Sequence, residues 1–546
     1  MRKDMSQPLN PDKPLKKIRS EKFIKISYLL LILGIFLFHL VINHQIIKKS
    51  QAFRSADEPL YINCGFICYK AIFSDLKVST PQRMNNIFFL TDGRQRNFFY
   101  LVEALSWKIG DIIKAKGEDS MIFITNSIFL LILLMSIYGI GSILYGRNIG
   151  LLSALLTSMF PLVFGHSRVA MVDYPLMCMV SLSFYLLLKT NGFRSVAYSI
   201  FAGIAFGVSQ FTKETSIVFI IFPLAYYFMK AYSSGEKKKI AVNFAITISV
   251  FLVVAGAVFF KTTDLHAFKN FWLQVTIFPN NNDLFYYFKT FFINAVGPFM
   301  FVLSLPLLIS YLINIKKRDK LLFLWFLIPF VLFSLSTNQM HRFLMPILPA
   351  FSLIVIQELF ADGLFKSFKA ILKVILIPCL MLQYIFINTG LMSNKYYKSR
   401  FDYGILSAKK DKYFLVTSAL LDFFKKEAMR CGNTKKVLFL FNREDIVGPI
   451  FYKFVLYELP FSWSCPMSAD IASAPALGTI NWQEEVLTAD YIVDNIGIVP
   501  GDYKGLLENI SNQLKEGFNK YKNQFERMEE IKADNFVICV YKKITT

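Results

Sequence analysis

Residues 22–61 read KFIKISYLLLILGIFLFHLVINHQIIKKSQAFRSADEPLY, and the rest of the chain is interpreted from that stretch outward. From Phe23 to Asn43 nearly every side chain is apolar, which matches the roughly 20 residues a helix needs to cross a bilayer. Lys16, Lys17, Arg19, Lys22 and Lys25 come first, but the apolar run is too long for a signal peptide. No small-residue cleavage site follows it, so it reads as an uncleaved anchor. Just beyond stand Asp57 and Glu58, adjacent acids in a chain that carries 57 Phe.

The apolar pattern recurs. Eleven windows are long and apolar enough to be spans: 23–43, 121–145, 148–165, 174–189, 196–212, 216–232, 240–260, 288–313, 321–337, 343–361 and 369–391. Lys and Arg orient them. With the N-terminus inside, the inner loops are Gly146–Arg147, KTNGFRS (189–195), SSGEKKK (233–239), KKRDK (316–320) and DGLFKSFK (362–369). All but the first hold a positive cluster, as cytoplasmic loops do. The expected fold class is therefore a polytopic α-helical membrane protein of about eleven transmembrane helices, N-terminus in and C-terminus out.

Three regions follow. Residues 1–20 form a basic cytoplasmic tail, 21–392 the transmembrane domain with a first outer loop at 44–120, and 393–546 a soluble extracytoplasmic α/β domain. In the first outer loop, Phe98, Leu101, Leu105, Ile109 and Ile112 repeat at helical spacing while Glu103, Lys108, Asp111 and Lys114 interrupt them. This pattern predicts an amphipathic helix along the membrane surface, the alternative being a helix packed on the protein itself. LYINCGFICYKAIF (60–73) is a shorter segment of the same kind. Beyond residue 393, strands are expected over 435–441, 489–495 and 535–543, and helices over 415–432 and 502–531.

The net charge of +22 does not indicate a nucleic-acid partner. From Ser393 on there are 21 basic and 19 acidic residues, which leaves 39 against 19 for the membrane part. There the excess sets topology and attracts anionic lipid. The seven Cys show no zinc spacing. Cys178 and Cys379 fall inside spans as packing residues. Cys64 with Cys68, or Cys431 with Cys465, are pairs an oxidising face would permit, and solitary thiols are the preferred reading.

Ionisable residues near a bilayer are costly unless they serve a purpose. In this topology several collect on the outer face: Asp57 and Glu58; His166, Arg168 and Asp173 in GHSRVAMVDYPL (165–176); Lys213 and Glu214 in FTKETS (211–216); His341 and Arg342 in NQMHRFLMPILP (338–349). Each has an ordinary explanation alone. An exposed acidic pair is usually solvated, Lys213 and Arg342 suit interfacial anchors, and Asp173 before Pro175 suits a helix cap. Their common side gives them joint weight.

In these motifs the chain resembles the polyprenyl-phosphate-sugar-dependent glycosyltransferases of the GT-C superfamily, the group of protein O-mannosyltransferases and the lipid A aminoarabinose transferase. The resemblance rests on Asp57–Glu58, SRVAMVDYPL (167–176) with Asp173, GIAFGVSQFTKETS (203–216) with Lys213, and HRFLMPILPA (341–350) with Arg342. It implies a catalytic base at Asp57, which would take the proton of an acceptor hydroxyl. Lys213 and Arg342, with Arg168 third, would meet the charge growing on the leaving phosphate. Asp173 would orient the acceptor or a cation, and Glu58 would hold the loop or tune Asp57. Relatives carry His-Pro-Pro or Lys-Pro-Pro where this chain reads TDGRQRNFFY (91–100), so Arg94 and Arg96 become candidates for the phosphate. Arg83 and Asp92 are unranked loop candidates.

The function implied is transfer of a sugar from a polyprenyl-phosphate donor to a lipid, glycan or protein acceptor at the outer face of a bacterial plasma membrane, in contact with membrane lipids. No cofactor is required by the pattern. A divalent cation shared by Asp57, Glu58 and Asp173 is compatible with it. A lipid-linked glycan flippase is the first alternative, disfavoured by the scarcity of ionisable residues in mid-span. A non-catalytic membrane assembly protein is the second.

Overall fold

A computed structural model of the chain describes residues 12–49, 58–73, 97–115, 117–234, 236–259, 285–318, 320–336, 339–362, 364–388, 412–431, 433–440, 450, 459–464, 486–496, 506–533 and 536–544. Its helical part runs α1 (Asp12–Lys49), α2 (Glu58–Phe73), α3 (Asn97–Ile112), α4 (Glu118–Leu144), α5 (Arg147–Ser158), α6 (Pro161–His166), α7 (Asp173–Lys189), α8 (Val196–Thr212), α9 (Ser216–Ser234) and α10 (Lys237–Phe259). It continues with α11 (Tyr286–Phe291), a π-helical turn (Phe292–Val296), α12 (Pro298–Ile313), α13 (Lys320–Ser334), a 3-10 segment (His341–Ile347), α14 (Leu348–Phe360) and α15 (Lys366–Asn388).

Burial in this part is inverted relative to a water-soluble protein. On α1, Leu30, Leu31 and Val41 are more than half exposed while His39 and Asn43 are buried. A helix that turns its apolar side chains outward and its polar ones inward is suited to lipid. Among the described residues six helices are long and apolar enough to cross a membrane: Ile26–Lys48, Glu118–Leu144, Ser216–Ser233, Lys237–Gly256, His341–Phe360 and Lys366–Asn388. The chain is an integral membrane protein.

Every one of the eleven windows carries helix, yet they are not eleven unbroken spans. The window 148–165 divides into α5 and the six-residue α6, because Pro161 cannot continue the preceding turn and instead begins a new helix. The window 288–313 is interrupted by the π-helical turn and by Gly297, whose φ of 91° lies in the left-handed region. The window 343–361 starts as a 3-10 segment around Pro346 before α14 begins. In the loop read as the first outer one, Cys64 and Cys68 are buried thiols that form no disulfide.

The helix of that loop, α3, turns the face containing Glu103 inward. Phe99, Tyr100, Glu103, Ala104, Ser106 and Trp107 are buried, while Leu105 and Ile112 are 46% and 70% exposed. The stripe Phe98–Leu101–Leu105–Ile109–Ile112 is therefore the outer face, and the face containing Glu103 turns into the protein. Trp107 packs edge-on against Phe66 of α2 at 5.3 Å, and the Tyr69 hydroxyl donates to Asp111.

After residue 411, α16 (Lys412–Ala428), β1 (Lys435–Phe439), β2 (Phe461–Ser464), β3 (Tyr491–Ile496), α17 (Leu506–Tyr521), β4 (Phe525–Ala533) and β5 (Phe536–Lys543) form a five-stranded mixed sheet in the order β2-β1-β3-β5-β4. β1 lies parallel to β2 and β3, whereas β5 is antiparallel to β3 and β4. Alternation along the strands builds two layers. Val437, Phe439, Tyr491 and Val493 pack with Val416, Leu420 and Phe424 of α16, and Leu438, Ile492, Cys539 and Tyr541 pack with Leu514 and Phe518 of α17. The expected helix 502–531 is shorter: it ends at Tyr521, and from Phe525 the chain is the charged strand β4, FERMEEIKA, at the sheet edge beside β5. β2 was not expected either.

The described turns fall into two groups that touch within themselves. Residues read as outer meet one another, as the next section details. Residues read as inner do the same: Glu358 of α14, fully buried, accepts from Arg318 at 2.7 Å, Lys369 at 2.9 Å and Ser310 at 2.6 Å. Here the carboxylate ties α12, α14 and α15 together at one end. Replacing Glu358 with Ala strands two cations in a poorly solvated place, with an expected loss of about 3–5 kcal/mol. Thermal unfolding in detergent checks this. The triple change of Glu358 to Leu with Arg318 and Lys369 to Met is expected to recover most of the loss.

Candidate active site

The turn before α7 is where the candidate site is assembled. Residues 165–172 are pinned from four sides. Asn43 of α1 donates to Ser167 Oγ at 2.9 Å, and Asn126 of α4 donates to the Val169 carbonyl at 2.9 Å. Glu58, the first residue of α2, accepts the Ala170 N–H at 2.9 Å. Arg168 contributes the fourth restraint. Its Nε donates to Asn43 at 2.7 Å, and its terminal nitrogens donate to Asn388 at 2.6 Å and Tyr384 at 3.0 Å on α15.

That scaffold delivers Asp173. The cap position of α7 is Val172, so Asp173 sits one place inside the helix and its carboxylate is aimed at side chains from two other turns. Its Oδ1 accepts Lys213 Nζ at 2.6 Å, and its Oδ2 lies 3.6 Å from Arg342 Nε. Asp173 is 2% exposed and Lys213 7%. Phe343 lies beneath both cations, 4.7 Å from Lys213 Nζ and 5.7 Å from the Arg342 guanidinium. Lys213 reaches the carboxylate because α8 ends at Thr212 and the backbone turns extended there, at φ −162° and ψ 136°. Arg342 comes from the 3-10 segment that opens at His341. Tyr287 braces that segment: its hydroxyl donates to the Met340 carbonyl at 3.0 Å and accepts the Met340 N–H at 3.1 Å.

Of the sequence candidates, the structure brings together Asp173, Lys213 and Arg342, and seats Glu58 against the same turn. Arg168 is close in sequence, and its guanidinium donates to neutral acceptors on α1 and α15. Asp57, Arg94 and Arg96, with Arg83 and Asp92, lie outside the described residues, though Asp57 is the chain neighbour of Glu58. Among the described residues no three His, Cys, Asp or Glu side chains are grouped to hold a metal ion. Sequence reasoning did not identify Tyr287, Asn43, Tyr384 or Asn388. Only their polarity at the ends of apolar segments could have signalled them.

Glu103 is a different kind of group. It is fully buried on α3, and neither carboxyl oxygen has a hydrogen-bond partner among the described residues. Burial, and then the negative charge of Glu58, push its pKa well above the usual carboxylate range, so it is held as the neutral acid. Gly65 of α2 makes room for it: a Cβ there would meet Glu103 Oε2 at 2.4 Å.

Comparison with known proteins adds to this geometry. Residues 104–259 match the family described as dolichyl-phosphate-mannose-protein mannosyltransferase. No protein of curated function matches the chain in sequence. Among solved structures, the chain is similar to ArnT from Cupriavidus metallidurans bound to undecaprenyl phosphate, with a TM-score of 0.61 at 11% identity over 94% of this chain and 98% of that one. It is also similar to the archaeal oligosaccharyltransferase AglB from Archaeoglobus fulgidus, in complex with an inhibitory peptide and a dolichol-phosphate, with a TM-score of 0.51 at 12% identity over 90% and 72%. The fold is thus the one found in these GT-C glycosyltransferases, as the sequence motifs led one to expect.

Glu103 yields a signed pH dependence. The unfolded chain ionises this group near pH 4.3 while the folded chain keeps its proton, so stability falls as pH rises above that value. Glu103→Gln, neutral at every pH, is expected to unfold at a higher temperature than the parent at pH 8 and to converge with it near pH 4. Melting curves across that range decide it; equal pH slopes in both proteins would show that Glu103 is ionised in the fold.

Proposed function

We propose that the protein is a glycosyltransferase that moves a sugar from a polyprenyl-phosphate donor to an acceptor at the outer, periplasmic face of a bacterial plasma membrane, with Asp57 as general base. The observation that carries this reading is the meeting of Lys213 and Arg342 over Asp173 in a buried place. Two cations meet at one carboxylate at the end of an apolar bundle, an arrangement suited to a phosphate with a long lipid tail. The relatives in fold support the choice of donor, since one is described with undecaprenyl phosphate and the other with a dolichol-phosphate.

The chemistry follows from those charges. The acceptor hydroxyl gives its proton to the Asp57 carboxylate as its oxygen bonds to the anomeric carbon. The bond from that carbon to the phosphate oxygen breaks with inversion, and the electron pair leaves with the lipid phosphate. Lys213 and Arg342, already oriented by Asp173, stabilise the added charge without reorganising. Glu58 anchors the start of α2 to Ala170, which links the chain beside Asp57 to the turn carrying Asp173.

Membranes containing the full chain, supplied with radiolabelled polyprenyl-phosphate sugars, test the proposal by the label reaching total lipid, glycan and protein. Transfer is expected from the parent and none from Asp57→Asn. Lys213→Met and Arg342→Met are expected to slow it by about 10²–10³-fold. An acceptor that is already ionised, such as a lipid phosphate, needs no base, so activity surviving in Asp57→Asn would point to that acceptor class and remove Asp57 as the base. Equal inactivity of all four proteins would reject the transferase assignment.

A further inference from the structure

Helices α2 and α3 run side by side in the same direction. Tyr61 meets Phe99 at 6.0 Å between ring centroids, Phe66 meets Trp107 at 5.3 Å, and the Tyr69 hydroxyl donates to Asp111. Between the first two of these contacts Gly65 faces Glu103. A Cβ on Gly65 would lie 2.6 Å from the Cβ of Glu103, so only a residue without a side chain lets α2 come this close. Glu103 fills the notch, fully buried, and neither of its carboxyl oxygens has a hydrogen-bond partner among the described residues. The uncharged acid can occupy such a place, whereas a carboxylate would need donors there to replace the water it gives up.

The titratable groups that face Glu103 from α2 are Glu58 and the Cys68 thiol. Helix α4 meets α3 through Thr125 on Ser106 and Phe129 on Phe98 and Phe99, with its acids Glu118 and Asp119 in its first turn. Helix α8 also contacts α3 and has Tyr198 as its one ionisable side chain. On α3 itself, Lys108 lies over Phe73, and Asp111 is held by Tyr69. Of these groups Glu58 acts on Glu103, and its negative sign opposes a second anion. Glu58 in turn accepts the Ala170 N–H at 2.9 Å, which joins α2 to the turn that carries Asp173. Helix α2 is thus held at two points, Glu58 and Gly65, about 10 Å apart along its axis.

We propose that Glu103 is a positioning residue for the transfer step: as the uncharged acid it seats α2 on α3 and so keeps Glu58, the chain neighbour of the proposed base, on Ala170, and loss of its proton parts the two helices and frees that end of α2. This rests on the transferase reading for the role of Asp57. Glu103 acts through the pose of α2 and not by touching a substrate. The proton it loses passes to water entering between the helices, where the new carboxylate is solvated, and lowering the pH reverses the change.

Two readouts on the full chain in detergent test this together: hydrogen exchange of residues 58–73 and 165–172, and sugar transfer, each followed from pH 6 to pH 9. As pH increases, exchange of both segments in the parent is expected to rise above that in Glu103→Gln at the same pH. Transfer by the parent is expected to fall by about tenfold per pH unit once Glu103 ionises, and Glu103→Gln to lack that fall. Gly65→Ala is expected to show the exchange of the alkaline state already at pH 6, and Gly65→Ala with Glu103→Ala to reverse it. An unchanged affinity for sugar-free polyprenyl phosphate shows that each variant is folded. Identical exchange in parent and Glu103→Gln at every pH overturns the inference, as does an alkaline fall in transfer shared equally by both. Exchange that follows Glu103 in a chain that transfers no sugar leaves its hold on α2 standing and rejects the transferase reading.

Discussion

Everything at this end of the bundle depends on one buried carboxylate. Asp173 is 2% exposed, and taking an ion of that kind out of water costs several kcal/mol unless opposite charge is supplied at close range. Lys213 supplies it at 2.6 Å and Arg342 at 3.6 Å. The requirement runs both ways, since each cation is itself seated against apolar surface, over the ring of Phe343. Three turns distant in sequence are thereby fixed to one another. The same interaction also gathers two cations from distant turns at one place.

The polar groups around that centre are sorted by charge. Ionic partners surround Asp173, while Arg168, five residues earlier, is held by two amides and a phenol. A guanidinium suits that task because its planar fork reaches several acceptors in fixed directions, which an ammonium does not. It joins α1 and α15 to the turn beneath Asp173. Its neighbourhood in sequence suggested a phosphate ligand; in space it also braces the turn.

Much of this was legible in the sequence, and the reasons for the rest are physical. Lys213, Arg342 and Asp173 stood out because charges at the ends of apolar helices have few uses. The breaks inside the windows 148–165 and 288–313 were hidden because hydropathy does not register where a helix is interrupted. Glu103 was misplaced because α3 is apolar on both faces, so its periodicity gave no sure inward side. The strand β4 was read as helix because FERMEEIKA, charged and at a sheet edge, lacks the apolar alternation of a buried strand. The hydrogen bonds of Arg168 could not be read at all, because its partners Asn43 and Asn388 lie 125 and 220 residues away.

The shared carboxylate also constrains how the protein can change over time. Losing Asp173 alone leaves two cations facing each other, and losing Lys213 or Arg342 alone leaves the remaining pair in altered balance. No single replacement among the three is neutral, so positions separated by 40 and 129 residues form one inherited unit. In a set of related sequences, whatever their overall divergence, these three positions should be kept together or exchanged together, while the apolar residues between them drift.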